Sequence, residues 1–475
     1  MNEEIETRGR AMLRRFVFAF TPAILFLWII PSTFARLPLF PKSPAEDKFE
    51  TLLRKLEEKV EVDLSKPLTL RECIEVALKR STRVRLSEME VTLAELSLDD
   101  ARARYFPQIY LDGTYMFSDK VEFGFEEENY DLWLRASYTI WDHGHREAEV
   151  AQRRAEAEAA RNRYEEEVQR LIYNVTVAYY NLLKMKKLVE VDEEILRIAR
   201  MNTEKTRAFM EAGYKVEADV LAAEVREAND ELKLIEDQNN LKIAKANLAM
   251  AMGLDPGTEI EVVEDRGYER FVVTGRLEPE EITLEEAIKK ALENRPELKE
   301  MRAQIKAMEW GVYVAKLDRY PRITAEYGYN VDLDDYLRER ENFKSYRSWQ
   351  AVAKLTFPLF DAGSSKRRVQ QLEIQLRKLR ENLESLERQI ALEVRECWYD
   401  LMRIRKSLEV LDKQVRNAKM SLDAALGRYE QQLITEIEVA EARSLYAQAL
   451  TNRVHAYYDY KIAQAALKKA MGVLR

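Results

Sequence analysis

Residues 369–422, VQQLEIQLRKLRENLESLERQIALEVRECWYDLMRIRKSLEVLDKQVRNAKMSL, decide the fold. Apolar or small residues recur at Val369, Leu372, Leu376, Leu379, Leu383, Leu386 and Ile390, then at Val394, Cys397, Leu401, Ile404, Leu408, Leu411, Val415, Ala418 and Leu422. Steps of three and four alternate, which is the heptad seam of a packed helix. One extra step of four, from Ile390 to Val394, is a stutter that locally unwinds the supercoil. No proline interrupts residues 363–472. At 1.5 Å per residue, a helix from Gly363 to about Leu426 spans roughly 95 Å, far more than the thickness of a bilayer. A turn at 428–435 then folds the chain back to Met471 along a looser stripe of Val439, Leu445, Ala449, Ala456 and Ile462.

The rest of the chain fits a helix-rich, exported protein. Charged residues make up 34% of the 475, while Gly and Pro number only 14 and 12. The net charge of −8 argues against nucleic acid as a partner. Cys73 and Cys397 both fall in helical patterns, Cys397 on the seam itself, and read as small apolar fillers rather than halves of a disulfide or metal ligands. At the N-terminus Arg8, Arg10, Arg14 and Arg15 precede an apolar run from Phe16 to Ile30, followed by the small-x-small pattern Thr33-Phe34-Ala35. Residues 1–35 are therefore expected to be a cleavable signal peptide. The apolar run is too short for a retained span, and no cysteine near the cleavage site offers a lipid anchor.

A proline-bearing N-terminal segment, 36–67, expected to be periplasmic once the leader is removed, leads into a duplication. Leu68-Thr69-Leu70-Arg71-Glu72 is answered by Ile282-Thr283-Leu284-Glu285-Glu286, each a capping box opening a helix. Tyr105-Phe106-Pro107 pairs with Arg319-Tyr320-Pro321 at an offset of 321 − 107 = 214. Trp141-Asp142-His143-Gly144 matches Phe360-Asp361-Ala362-Gly363, and Ala251-Met252-Gly253 matches Ala470-Met471-Gly472, at 472 − 253 = 219. The second copy has thus gained five residues, most simply in its strand-to-strand loop. The first repeat covers 68–253, with strands in 107–141 and a helical hairpin at 144–253. The second covers 282–475, with strands in 321–360 and a hairpin at 363–472. The linker, 254–281, carries a candidate short strand at Phe271-Val272-Val273. The seam of the first hairpin is imperfect: Arg153, Glu167, Asp192 and Thr203 stand where the second has Leu372, Leu386, Leu411 and Leu422.

Four segments between the short helices and the hairpins have a period of two. Ile109, Leu111, Tyr115 and Phe117 alternate with Gln108, Asp112 and Thr114, and Leu132, Leu134, Ala136, Tyr138 and Ile140 form one face of the next. Ile323, Ala325, Tyr327, Tyr329 and Val331, then Trp349, Ala351, Ala353, Leu355 and Phe357, repeat the pattern. Strands of roughly 11 residues, apolar on one face and polar on the other, fit a transmembrane barrel. Four cannot close one, and open edges do not occur in lipid, so closure needs several chains. Three would supply about 12 strands. The connections at 118–129 and 332–344 are longer, charged and expected to be extracellular.

The leader, the duplicated strand–strand–long-hairpin unit, Arg207-Ala208-Phe209 with Gly213 and Asp219-Val220-Leu221, and both Ala-Met-Gly helix ends resemble the TolC family of outer-membrane efflux channels over residues 68–472. The resemblance implies a homotrimer, mainly α with transmembrane β, in which a 12-stranded barrel sits in the outer membrane and the helices form a periplasmic tunnel. It implies a passive exit duct for efflux or type I secretion, coupled to an inner-membrane pump through a periplasmic adaptor and opened by loosening helix pairs at its inner end. In the family, acidic residues after the second turn form a constricting, cation-preferring ring; Glu438 and Glu441 take those positions, so three chains would gather six carboxylates and the gate is expected to respond to pH. Tyr429 matches a gate tyrosine, although the arginine that can follow five residues later is Ile434. The adaptor is expected at Ala212, Gly213 and Tyr214 and at Gln431, Gln432 and Leu433. The second turn has Gln432 where the first has Gly213.

No sequence pattern points to an enzyme or a bound cofactor. There is no glycine-rich phosphate loop with a lysine, and the three histidines, His143, His145 and His455, form no catalytic set. His143 and His145 supply two metal ligands without a third. A periplasmic coiled-coil adaptor or scaffold is the alternative reading; it accounts for the helices and the leader but not for four strands recurring at repeat-related positions.

Overall fold

A computed structural model describes residues 66–120, 125–263, 266–274, 282–332, 347–431 and 433–474, together with helical residues between 47 and 54. The chain divides into two units, Met1–Leu56 and Glu57–Arg475. The expected signal peptide lies outside the described residues, as do most of segment 36–67, the loop at 333–346 and Gln432.

In the larger unit each repeat opens with a capped helix pair. Helix α1 (Leu70–Arg80) begins at Thr69, whose Oγ1 accepts from the Glu72 amide at 3.3 Å while Glu72 accepts from the Thr69 amide at 2.7 Å, and α2 (Thr82–Ala103) begins at Ser81. This contact, backbone amide first, holds the Glu72 carboxyl below its ordinary value. Strands β1 (Gln108–Lys120) and β2 (Phe125–Trp141) lead to the 67-residue helix α3 (His145–Glu211) and its return, α4 (Glu217–Ala251). The linker contains α5 (Arg266–Thr274). The second repeat follows as α6 (Leu284–Asn294), α7 (Pro296–Leu317), β3 (Arg322–Asp332), β4 (Arg347–Thr356), the 67-residue α8 (Ser364–Glu430) and α9 (Glu436–Ala470). Element boundaries keep the offsets of the sequence, 322 − 108 = 214 before the strands and 364 − 145 = 219 after them. At 1.5 Å per residue α3 and α8 are each roughly 100 Å long.

The four strands form one antiparallel sheet in the order β1-β2-β3-β4. Gln108 faces Ser137, Asp131 faces Asp332 and Arg322 faces Thr356. In one chain β1 and β4 are edges, and the apolar face is uncovered: Ile109 is 66% exposed, Trp349 68% and Leu355 66%. Among the described residues no helix is long and apolar enough to cross a membrane.

The core lies among the helices, where both hairpins meet α1 and α6. Cys73, Ala77, Val175, Leu248, Ala291, Leu298, Val394, Val454 and Tyr458 are fully enclosed there. Burial pushes the Cys73 thiol up to about 12, and it raises that of half-buried Cys397 as well, so both stay protonated fillers. The seam residues Ile390, Val394, Leu401, Leu408, Val415 and Leu422 are buried along α8. Each hairpin ends on the joint of its own short helix pair. The position of a Cβ on Gly472 lies 2.8 Å from the Arg295 backbone nitrogen, and one on Gly253 lies 3.3 Å from the Arg80 carbonyl oxygen. This close approach, together with positive φ at both residues, accounts for the repeated glycine.

Two expectations are corrected. Residues 271–273 belong to a helix, because Tyr268 and Phe271, three apart, insert on one side of α5 against Tyr457 and Tyr458 of α9. Burial of that face outweighs the local β preference of two valines. The first strand-to-strand connection is also shorter than 118–129: the ladder continues to Lys120 opposite Phe125. Backbone pairing propagates beyond the apolar alternation, through the acidic stretch at 126–128, where no side-chain pattern marks a strand.

Candidate functional site

The two interhelical turns lie at the same end of the paired hairpins, and the contacts between α3, α4, α8 and α9 there form the candidate gate. In the first turn Gly213 adopts φ +78, and the amides of Gly213 and Tyr214 donate to the Met210 and Phe209 carbonyls at 2.9 and 2.8 Å, closing the end of α3. Ala212, Gly213 and Tyr214 are exposed. In the second turn the Leu433 amide donates to the Arg428 carbonyl at 2.9 Å, and Gln431 and Leu433 are exposed.

Tyr429 is only 1% exposed. Its hydroxyl lies 2.9 Å from Thr206 Oγ1 on α3. Thr206 spends its one proton on the Asn202 carbonyl at 2.9 Å, so Tyr429 is the donor between them. Phe209 meets the tyrosine ring edge-on at 5.8 Å, and Lys215 places its ammonium 5.6 Å from the ring centre. The tyrosine thus fastens α8 to α3. Ile434, which stands where the family can carry an arginine, is half-buried.

Glu438 and Glu441 lie three residues apart near the start of α9, on one exposed side of the helix. Glu438 Oε1 accepts from the amide and hydroxyl of Thr435 at 3.2 and 3.1 Å, so it also caps the helix. Near them a set of ion pairs, some buried and some at the surface, joins the first hairpin to the second. Glu436, 3% exposed, binds Arg226 of α4 and accepts from Asn202 Nδ2 of α3 at 3.2 Å. Arg443 of α9 reaches Asp230 of α4 at 3.3 Å, and Lys205 of α3 meets Glu430 of α8 at 2.6 Å. Burial raises the Asp230 carboxyl, against the pull of Arg443 and Lys233.

The model of the outer membrane efflux protein family matches residues 73–254 and 287–473, one segment in each repeat. The chain belongs to this family. It is similar to protein CyaE of Bordetella pertussis, 24% identical over 417 residues that make up 86% of this chain and 84% of that one. Outer membrane protein TolC of Escherichia coli K12 is 23% identical over 422 residues, 86% and 83% of the two chains. In fold the chain resembles the MtrE outer membrane channel of Neisseria gonorrhoeae, solved in its open state, with a TM-score of 0.72 at 17% identity, covering 86% of this chain and 89% of that one. This efflux protein is an exit duct of the outer membrane, in a family whose channels are trimeric.

Of the residues singled out in the efflux protein's sequence, the structure brings Tyr429 into the contact between hairpins and leaves Glu438, Glu441 and the described tip residues at the surface. Glu436, Arg226, Asp230 and Arg443 were not found from the sequence. Their signal was present: Glu436, Val439 and Arg443 follow steps of three and four, so two charges occupy inward positions of α9. Their partners stand more than 200 residues away, which no local pattern reveals. His143 and His145 are far from these turns in sequence and structural role. His143 stacks on Tyr320 at 4.2 Å and His145 Nε2 lies 3.2 Å from Asp318, tying the two strand-helix junctions together.

Proposed function

We propose that three copies of this chain close their four-stranded sheets into one 12-stranded barrel in the outer membrane, with the paired hairpins forming a tunnel through the periplasm. The observation that carries this is a sheet with two unpaired edges and an uncovered apolar face, joined to hairpins roughly 100 Å long. A leader removed from 1–35 would deliver the chain there. The duct is passive and catalyses no reaction; a pump in the inner membrane supplies the energy and reaches it through a periplasmic adaptor, either for efflux or for type I secretion.

The gate is formed by the turns. Glu438 and Glu441 from three chains ring the narrow end and favour cations, while Tyr429 helps hold the hairpins closed. The adaptor docks on Ala212, Gly213 and Tyr214 and on Gln431, Gln432 and Leu433. In a planar bilayer under a salt gradient, a Glu438→Gln, Glu441→Gln variant is expected to lose most of its cation preference, read as a reversal potential near zero. An unchanged reversal potential removes these residues from the gate. Charge reversal at Tyr214 or Leu433 is expected to abolish adaptor retention in a pull-down, and undiminished retention would place the adaptor elsewhere.

A further inference from the structure

Asp192 interrupts the apolar seam of α3, where the equivalent position of α8 is Leu411. Its side chain is nevertheless enclosed, at 4% exposure. Oδ1 lies 3.1 Å from Lys233 Nζ on α4. Oδ2 is buried and receives no hydrogen bond from a donor among the described residues. Asp237, one turn beyond Lys233 on α4, brings a second carboxyl near enough to act on Asp192. Two carboxyl groups bond to each other only when one of them carries a proton.

Among the described residues, the neighbouring cations are engaged by other carboxylates. On α4, Asp230 interacts with Lys233 but is engaged by Arg443. On α9, the half-buried His455 shares the field of Lys233 and Asp237 together with Lys184 and Asp459, and burial first, then Lys184, hold its imidazole below the ordinary value. Lys184 of α3 is itself committed to Asp459 at 3.2 Å. On the far side of α9, Arg453 turns to Asp412 of α8.

We propose that Asp192, Asp237 and Lys233 form a proton-operated clamp between α3 and α4: one proton shared by the carboxyls satisfies all three groups, and its loss leaves two crowded anions on one ammonium and loosens the first hairpin. Burial, then the neighbouring Asp237 carboxyl, raises the Asp192 carboxyl to about 6 against the pull of Lys233. Its folded value therefore exceeds its ordinary one, so the clamp is fully made below about pH 4 and is lost as pH rises through about 6. The second hairpin has Leu411, Asn452 and Ala456 at the equivalent positions, so it lacks the clamp and serves as an internal reference. If the hairpins wall a periplasmic duct, as proposed above, one half of each subunit's wall stiffens with acidity; the clamp itself does not depend on that reading.

Hydrogen exchange of the full-length protein in detergent, followed from pH 5 to 7.5 and corrected for intrinsic rates, tests it. Protection of peptides around 188–196 and 229–241 is expected to fall about tenfold across that range relative to peptides around 408–415 and 448–460. Asp192→Asn keeps the shape but removes the shared proton, and is expected to abolish the relative fall; Asp192→Leu, the residue of the second hairpin, should do the same. His455→Gln should leave the fall intact. An equal pH response of both hairpins in the wild type, a fall that persists in both Asp192 variants, or one that disappears with His455→Gln would overturn the clamp.

Discussion

Glu436→Ala is expected to destabilise the protein by about 2–3 kcal/mol and to loosen the turn end of the hairpins, because it leaves Arg226 without its anion and Asn202 without its acceptor. Breaking a fully buried pair usually costs about 3–5 kcal/mol; the lower figure allows for Arg226, whose side chain is 29% exposed and can recover some hydration. Glu436→Gln keeps an acceptor for Asn202 and should cost less. Denaturant unfolding in detergent measures the cost, and a double-mutant cycle with Arg226→Ala isolates the pair: a coupling near zero would mean that the two hairpins are held by apolar packing alone. In a bilayer the same variant should open more often than the wild type, because the lost ion pair joins α4 to α9. Lys205–Glu430, at the surface, is expected to contribute far less.

Gly472→Ala should be the most damaging of the glycine substitutions, at about 2–4 kcal/mol. The added methyl would stand 2.8–2.9 Å from the backbone of Asn294 and Arg295, atoms that cannot swing aside as a flexible side chain would. The residue also adopts φ +69, which penalises any Cβ, and its carbonyl accepts from Gln169. Arg295 sits at the break between α6 and α7, enclosed and bonded to Glu393, so displacement there reaches the core. Gly253→Ala meets Arg80 at 3.3 Å and should cost about 1–2 kcal/mol. The order of the two unfolding midpoints is the test; a Gly253 variant weaker than the Gly472 variant contradicts the geometry.

Much of this fold was written locally. The capping boxes at Thr69 and Thr283, the alternation in four strands and the unbroken seam of α8 each arise within a few turns of chain, and duplication made them readable twice. The strand expected at 271–273 fails because its residues are placed by Tyr457 and Tyr458, nearly 190 residues away. The acidic end of β2 is hidden for the opposite reason: its partner is close, but pairing runs through the backbone rather than through side chains. At the turns, Tyr429 was recognised through resemblance, whereas its acceptor Thr206 comes from the other repeat. Glu436 shows the limit most clearly. Its helix-start position looks like that of a solvated acid, and only the juxtaposition of α3, α4 and α9 converts it into a buried tie.

Single-channel recording of the purified protein in a planar bilayer distinguishes a trimeric duct from a soluble scaffold. The protein is expected to require detergent, to migrate as a trimer and to insert with small, discrete, cation-selective conductance steps. A monomer that stays soluble without detergent and produces no steps would contradict the duct, and would leave the long hairpins as parts of a periplasmic scaffold.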